Sequence, residues 1–442
     1  MLIEDLEQKL DSFDPAERRE SLSALCEKVA TGQIELPAPG TDVNLHCHTF
    51  FSYNTYGYSP SKFAWLARKA GLAVAGVVDF DVLDALEEFL DACRLLGLKG
   101  SAGLETRVFV PEFADKVINS PGEPGISYHM GVGFPSAALA GEQKEFLLGL
   151  RRTAQQRNQD LMGRVNRHLH PVTLDYEQDV LGLTPSGNAT ERHMCLAYAR
   201  KAREFFGRAD ELADFWSEKL GMKIKTSELP ESRDLLNAIR AKTMKRGGVG
   251  YVQPDQGSFP RMADTNKFIL AAGGIPVHTW LDGTSDGEKA MAELLDVAMS
   301  TGAAALNVIP DRNYTPGAKN EKIENLYNVV ELAQKLHLPI VVGTEMNSPG
   351  QKFVDSFDTA ELSPLVPVFL KGAHIVYAHS VLQQKCGLGY TSPWAGENFK
   401  SVAEKNEFFR QLGSILQPQY EDRLSGLSQD ATAVEILDKV GK

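Results

Sequence analysis

The sequence predicts an α/β barrel interrupted by a helical insertion and extended by helices at both ends. Three observations predict it. Strand-like and helix-like runs alternate over about 42–135 and again over about 270–380, whereas 136–268 carries helical periodicity and no convincing strand. Strand-like segments end repeatedly in residues able to bind a metal or move a proton: His46 with His48, then Asp79, Glu105, His129, His278, Asn307 and Glu345. Parallel strands around a barrel bring their carboxyl ends to one mouth, so a single site can draw ligands from distant sequence. The length of 442 residues accommodates such a barrel with a large insertion.

Each element has a local reason. Residues 1–40 read as two short helices, ended by the breaker Leu36-Pro37-Ala38-Pro39-Gly40. Met1 to Glu20 alternates acidic and apolar residues and lacks the basic segment, apolar core and cleavage site of an export signal. The first strand begins at Asp42, and Ser59-Pro60 supplies an N-cap and first-turn proline for a helix that Gly71 stops. Strands are predicted at 74–80, 100–110 and 126–134. A helix over 82–96 places Leu83, Leu86, Phe89, Leu90 and Cys93 on one face, with Asp81 as its cap. Long charged helices, Glu142 to Leu169 and Glu191 to Leu220, mark the insertion. The alternation then resumes with strand 274–280, helix 286–300, strand 304–309, helix 319–336, strand 339–345, helix 358–370 and strand 374–379, the last carrying His379. A helical tail follows. The units are therefore 1–40, the barrel halves 41–135 and 269–392, the insertion 136–268 and the tail 393–442.

Composition narrows the function classes. The chain is 43% hydrophobic and 24% charged, and no apolar run reads as long enough to span a bilayer. Net charge of −12 argues against general adhesion to nucleic acid or anionic membranes. A small-molecule anionic substrate, such as a phosphorylated one, would have to be attracted locally. Five scattered cysteines form neither a disulfide framework nor a zinc-knuckle spacing, which fits a reducing cytoplasm.

The motif Asn44-Leu45-His46-Cys47-His48-Thr49 places both imidazoles on one strand face. With the loop Thr49 to Asn54 and Ser59-Pro60, it resembles the first motif of the polymerase and histidinol phosphatase (PHP) family. Further pieces follow in that family's order. Gly76-Val77-Val78-Asp79-Phe80-Asp81 stands at its Asp-His-Asp strand, Gly103-Leu104-Glu105 at its bridging glutamate, and Tyr128-His129 at its next-strand histidine. Gly273-Gly274-Ile275-Pro276-Val277-His278 and Gly343-Thr344-Glu345-Met346-Asn347 stand at its last two motifs. The resemblance covers roughly 42–135 and 270–350. It implies a distorted (β/α)7 TIM-like barrel with an α-helical insertion and helical N- and C-terminal extensions, and a metal-dependent phosphoesterase activity.

The resemblance also implies a ligand set. His46, His48, Glu105 and Glu345 would hold one divalent ion; Glu105, His129 and His278 would hold a second, the ions being Mn, Zn or Fe. Two such ions can activate water and polarise a phosphoryl oxygen. His278 lies two residues before the family position, where this chain has Trp280. Asn54, Phe80 and Asn347 replace the family's third-metal ligands, and phenylalanine cannot coordinate. The rival readings are a degenerate barrel that binds without turnover, and a hydrolase of a non-phosphate bond, which a scarcity of basic residues at the mouth would favour.

Other candidates carry bland alternatives. Asp79 and Asp81 can form an acid/base or water-positioning pair, helix capping being the alternative for Asp81. Arg107, two residues beyond Glu105 on the same face, can meet a substrate anion or form a salt bridge, and Asp311 and Arg312 face the same choice. His193 in the insertion resembles a substrate-contacting segment of some PHP nucleotide phosphatases. His168 and His170 read as a helix end. Arg151, Arg152, Arg157, Arg164 and Arg167 read as a solvated helix face, and His379 can serve the mouth or simply pack.

Overall fold

The fold is described from a computed structural model covering residues 2–254, 257–314 and 319–441. Its centre is a sheet of seven strands in sequence order. They are β1 (Val43–Cys47), β2 (Val74–Phe80), β3 (Lys99–Phe109), β4 (Ile126–Val132), β5 (Ile275–Thr279), β6 (Ala305–Val308) and β7 (Ile340–Val342). Every pairing is parallel except the two made by β4, which runs antiparallel to both β3 and β5. β3 and β4 are consecutive neighbours joined by a connection that contains no α-helix, as suits an antiparallel pair. The sheet closes into a barrel where Cys47 bridges Glu345 in parallel fashion.

The helices, in chain order, are α1 (Ile3–Lys9), α2 (Pro15–Ala30), α3 (Pro60–Ala70), α4 (Leu86–Leu96), α5 (Gly141–Leu169), α6 (Glu191–Phe205), α7 (Ala209–Leu220), α8 (Arg233–Ile239) and α9 (Met262–Ala271). After β5 come α10 (Asp286–Lys289), α11 (Met291–Ser300), α12 (Lys319–Lys335), α13 (Val366–Cys386), α14 (Pro393–Asn398), α15 (Val402–Ile415) and α16 (Ala433–Gly441). Ser59 caps α3 by accepting from the Lys62 amide, and left-handed Gly71 ends it. α3 and α4 cover Cys47, Ala75, Val77, Ala102 and Leu104, which defines that side of the strands as the outer face. The insertion has a core of its own, with Val165, Tyr198, Trp216 and Ile239 fully buried.

Three expectations change. Residues 374–379 belong to α13, not to a strand, and the helix predicted over 358–370 starts only at Val366. His374-Ile375-Val376-Tyr377 is a short apolar run of the kind that periodicity cannot assign, and burial of the helix removes the amphipathic signal. Asp81 does not cap α4, which begins at Leu86; it adopts a left-handed φ of 61° and accepts from the Thr106 hydroxyl at 2.5 Å. Ser363–Cys386 is long and apolar enough to cross a membrane by length and composition, contrary to the sequence reading. It is mostly buried, as a core helix packed on β7 and α15 would be.

The contact between α13 and β7 has no room for a side chain. A Cβ at Gly372 would fall deep inside the van der Waals radius of the Ile340 carbonyl oxygen, which is fixed backbone. Gly372→Ala is therefore expected to destabilise the fold by roughly 1–3 kcal/mol or more, the range for overpacking. Denaturant titration checks it, and an unchanged midpoint would contradict this packing.

Candidate metal centre at the barrel mouth

His46 and His48 occupy the end of β1, and Glu105 extends from β3 two strands away. Their ligand atoms lie within 4.8 Å of one another, and all three side chains are buried. His46 Nε2 stands 3.5 Å and His48 Nε2 3.1 Å from Glu105 Oε2. Neither approach has hydrogen-bond alignment, so all three atoms are buried without a hydrogen-bond partner. Buried polar atoms are nearly always satisfied. Three that converge on one another, of types N, N and O, form a donor set suited to a divalent cation. Burial opposes charge on Glu105, yet His46 and His48 hold its carboxyl down to about 2, leaving it ionised at neutral pH.

The ring orientations are set by a second layer. Asn307 Nδ2 donates to the Val341 carbonyl at 3.1 Å, which turns Oδ1 toward His46 Nδ1 at 3.0 Å. His46 therefore carries its proton on Nδ1 and keeps the Nε2 lone pair for a ligand. Ser52 Oγ donates to Asp79 at 2.6 Å and stands 3.3 Å from His48 Nδ1, fixing the same tautomer there. Asp79 also accepts from the Thr49 amide at 2.7 Å and the Thr49 hydroxyl at 2.6 Å. It is thus a positioning group behind His48. The Phe80 ring stacks on His48 at 4.3 Å and 20°, in place of a coordinating side chain. Asn54 closes the loop, donating to the His48 carbonyl at 2.8 Å and accepting from the Tyr56 amide at 2.8 Å.

Glu345 reaches the same mouth by a different route. Its amide donates to the His46 carbonyl at 2.7 Å, and its carbonyl accepts from the His48 amide at 2.8 Å. Its carboxylate accepts from Arg312 at 3.0 and 3.1 Å and from Gln351 at 2.7 Å. The side chain is therefore engaged next to the histidines and is not one of the converging atoms.

The structure does not bring His129 and His278 to Glu105. Residues opposite each other across a ladder share a face of the sheet. Glu105 stands opposite Met130, whereas His129 stands opposite Thr106 on one side and His278 on the other. Both histidines accordingly lie on the outer face, where His129 Nε2 bonds Asn266 of α9 at 2.5 Å. Their ring centroids are 6.2 Å apart. The register is the cause, since it sets Met130, and across from it Val277, in line with Glu105. On β4 the inward residues are Tyr128 and Met130. The second ligand set is not assembled.

Arg107 lies on the inward face, opposite Tyr128, bonded to Glu123 at 3.0 Å. His193 sits in the first turn of α6, where its Nδ1 accepts from the Thr190 amide at 3.1 Å and its ring meets Tyr53 edge-on. Burial pushes it down to about 3. His379 is buried in α13 and accepts from the Tyr390 amide at 2.9 Å. Arg157, expected on a solvated face, instead places its guanidinium 4.2 Å from the centre of the Phe259 ring. Ser52 is part of a motif loop but had no role from sequence. Residues that no motif marked are Arg240 and Lys245, both 2.9 Å or less from Glu191. Only the general expectation of a locally basic mouth pointed toward them.

Fold and site together define an α/β barrel with a buried His-His-Glu group, able to hold a metal ion, at one mouth. No family model matches the chain, and no curated protein does. Among solved structures it is similar to an amidohydrolase from Chromobacterium violaceum with bound sulfate and no metal, at 14% identity over 70% of this chain and 88% of that one, TM-score 0.47. It is also similar to a structure from Bifidobacterium adolescentis designated a metal-dependent phosphoesterase, at 16% identity over 76% and 98%, TM-score 0.47.

Two outcomes follow from this geometry. Ser52→Ala removes the acceptor of His48 Nδ1 while leaving the ligand atoms in place; metal affinity measured by chelator competition should fall roughly 10- to 100-fold, as for other orienting partners. An unchanged affinity would refute the positioning role. Burial pushes His129 down to about 4, and burial with the neighbouring His129 pushes His278 down to about 3. These folded values lie below the ordinary 6.5, so the unfolded chain binds more protons between them. Stability is then complete above about 6.5 and is lost as pH falls toward 4, by up to about 1.4 kcal/mol per unit for each histidine. Denaturation midpoints across this range should slope less steeply in His278→Asn.

Proposed function

We propose that this protein is a metal-dependent hydrolase of small phosphoesters, working through one divalent ion held by His46, His48 and Glu105. The observation that carries the reading is the convergence of three buried ligand atoms without hydrogen-bond partners, each ring held in the ligating tautomer by Asn307 or Ser52. A divalent ion bound there would supply an acidified water and a Lewis acid for a phosphoryl oxygen. Zn, Mn and Fe suit this mixed imidazole and carboxylate set.

The rest is performed by the chain. Arg107 and Arg312 lie close enough to Tyr128 to influence its ionisation, and Glu105 influences Tyr128 and Arg312. Arg312 supplies fixed positive charge for the phosphoester beside the ligand group, a role suited to a planar guanidinium fork. Glu345 holds Arg312 in position through two contacts to one nitrogen. Phe80 and Tyr128, with ring centroids 6.3 Å apart, give the same mouth apolar walls. This basic lining favours a phosphoester over an amide, for which charge-neutral groups would suffice. Free cysteines and the net negative charge fit a cytoplasmic enzyme with a small substrate.

Metal analysis of the purified chain should give one ion per molecule. Glu105→Gln should reduce it to a small fraction and lower phosphoester hydrolysis by a factor of about 1,000 or more, the scale on which a catalytic metal acts. Two ions per chain would overturn the single-ion reading. No bound metal and no hydrolysis across a broad phosphoester panel would favour the non-catalytic barrel.

A further inference from the structure

The helical insertion is tied across the barrel mouth by contacts to loops of several strands. Asn188 donates to the Phe80 carbonyl at 2.8 Å and the Phe51 carbonyl at 3.2 Å. Arg192 reaches Ser348 beyond β7 at 3.0 Å, Arg246 the Gly122 carbonyl before β4 at 3.0 Å, and Phe109 of β3 donates to the Pro260 carbonyl at 2.8 Å. These contacts deliver a group of cations to the inward end of β3. Arg240 Nε and Lys245 Nζ stand 2.9 and 2.7 Å from the same oxygen of Glu191. Arg107, the barrel's own cation, lies within electrostatic reach of Glu191 as well. Arg107 and Arg157 both lie over the Phe259 ring, at 4.4 and 4.2 Å.

Among the described residues, the acids facing this group are Glu191, Glu123 and Asp81, three against the four cations Arg107, Arg157, Arg240 and Lys245. Two cations share one carboxylate oxygen, and Arg157 relies on an aromatic face and the Ser258 carbonyl. Burial opposes charge on Glu191, but Lys245, Arg240 and Arg107 hold it well below the usual carboxylate range. Burial followed by the like charge of Arg107 pushes Arg157 down to about 10. Burial penalises Asp81, whose pKa is raised. In a chain of net charge −12, such a collection of like charges is costly unless an anion visits it. The side chains keep access to solvent, Arg240 being 29% and Lys245 34% exposed.

We propose that Arg107, Arg240 and Lys245 form a second anion subsite beside the metal centre, so that the substrate carries a further anionic group besides the phosphoester that is cleaved. Arg107 is one pleat repeat above Glu105, about 7 Å along β3. The two anions of the substrate are therefore separated by a short linker, as in a sugar bisphosphate or a phosphorylated hydroxy acid. The substrate part of this inference rests on the phosphoester reading above. The anion subsite itself does not, because its cations come from outside the ligand group.

Calorimetric titration of inorganic phosphate into the full chain, as purified and after chelation, tests the subsite. Phosphate should bind in both forms, and Lys245→Gln and Arg240→Gln should each weaken binding to the chelated form at least tenfold, with Lys245→Arg restoring Lys245. Equal affinity in variants whose melting matches the wild type would overturn the subsite. Should those variants unfold, acylation of Lys245 by an activated ester in the wild type provides the answer. Saturating phosphate should slow its modification at least fivefold, and no protection would overturn the proposal. The substrate class is read from kinetics. Phosphoesters with a second anion should have a KM at least tenfold below matched monoanionic ones, a gap that Lys245→Gln narrows mainly through KM. Hydrolysis without that gap would remove the bis-anionic substrate while leaving the phosphoester reading intact. Phosphate binding without hydrolysis would do the reverse.

Discussion

The candidate site depends on the seam where β7 meets β1. There the Glu345 peptide donates to the His46 carbonyl and accepts from the His48 amide, so one residue closes the barrel and fixes the backbone of both histidines. The bonds require an unusual main chain, since Glu345 and Met346 both adopt left-handed φ values, 63° and 56°. Such conformations cost of order 1 kcal/mol or more each and persist where surrounding structure over-determines them. The surroundings here are tight. A Cβ on Gly343 would collide with His46 and Asn44, while Asn44 itself binds Thr344 at 2.9 Å and the Phe353 carbonyl at 2.7 Å. Closure and ligand geometry are one constraint, because a slip of the seam by one residue would turn the imidazoles out of the barrel.

That period of two also explains what could be read from sequence. His46, His48 and Glu105 were legible because β1 and β3 run parallel to their neighbours through β2, so spacing and strand ends gave the correct face. His129 and His278 were misplaced because nothing in the residues around Tyr128 announces the register, which sets Met130 rather than His129 opposite Glu105. Hydrophobic alternation is satisfied by either parity in a strand buried on both faces, and a one-residue difference in register exchanges the two faces. α13 was hidden for a related reason. A helix buried on all sides has no polar stripe, and Ile375-Val376-Tyr377 satisfies strand propensity as well as it satisfies a core. Motif logic marked Asn307 as a strand-end residue and Ser52 only as part of a loop; their orienting roles are defined by what stands about 3 Å away in the folded chain.

The charge of the mouth shows the same separation between sum and arrangement. A net of −12 would repel a phosphorylated ligand at long range, and at physiological ionic strength that repulsion is screened over about 8 Å. Inside the mouth the balance is local. Arg107, Arg240 and Lys245 are partly buried, where a charge is less screened, and their partners Glu123 and Glu191 are buried with them. The insertion brings two of these cations and the barrel the third. Neither part alone has the constellation, which gives the insertion a chemical as well as a structural reason to span the opening.

The residues packed around His48 bear on whether the mouth is a working site or an inert one. A mouth that binds nothing should leave its polar groups loosely and variously unsatisfied. Instead the Phe80 ring lies flat on His48, and both ends of the Asn54 amide are bonded within the loop that follows β1. The buried atoms that do lack hydrogen bonds at the mouth include His46 Nε2, His48 Nε2 and Glu105 Oε2, which face one another. An inert site would gain stability by replacing any of the three with an apolar residue, because each pays the full cost of burial without a partner. Their retention beside an optimised stacking contact is therefore explained by a ligand that all three share, and a single cation is the simplest group that satisfies two imidazoles and a carboxylate at once.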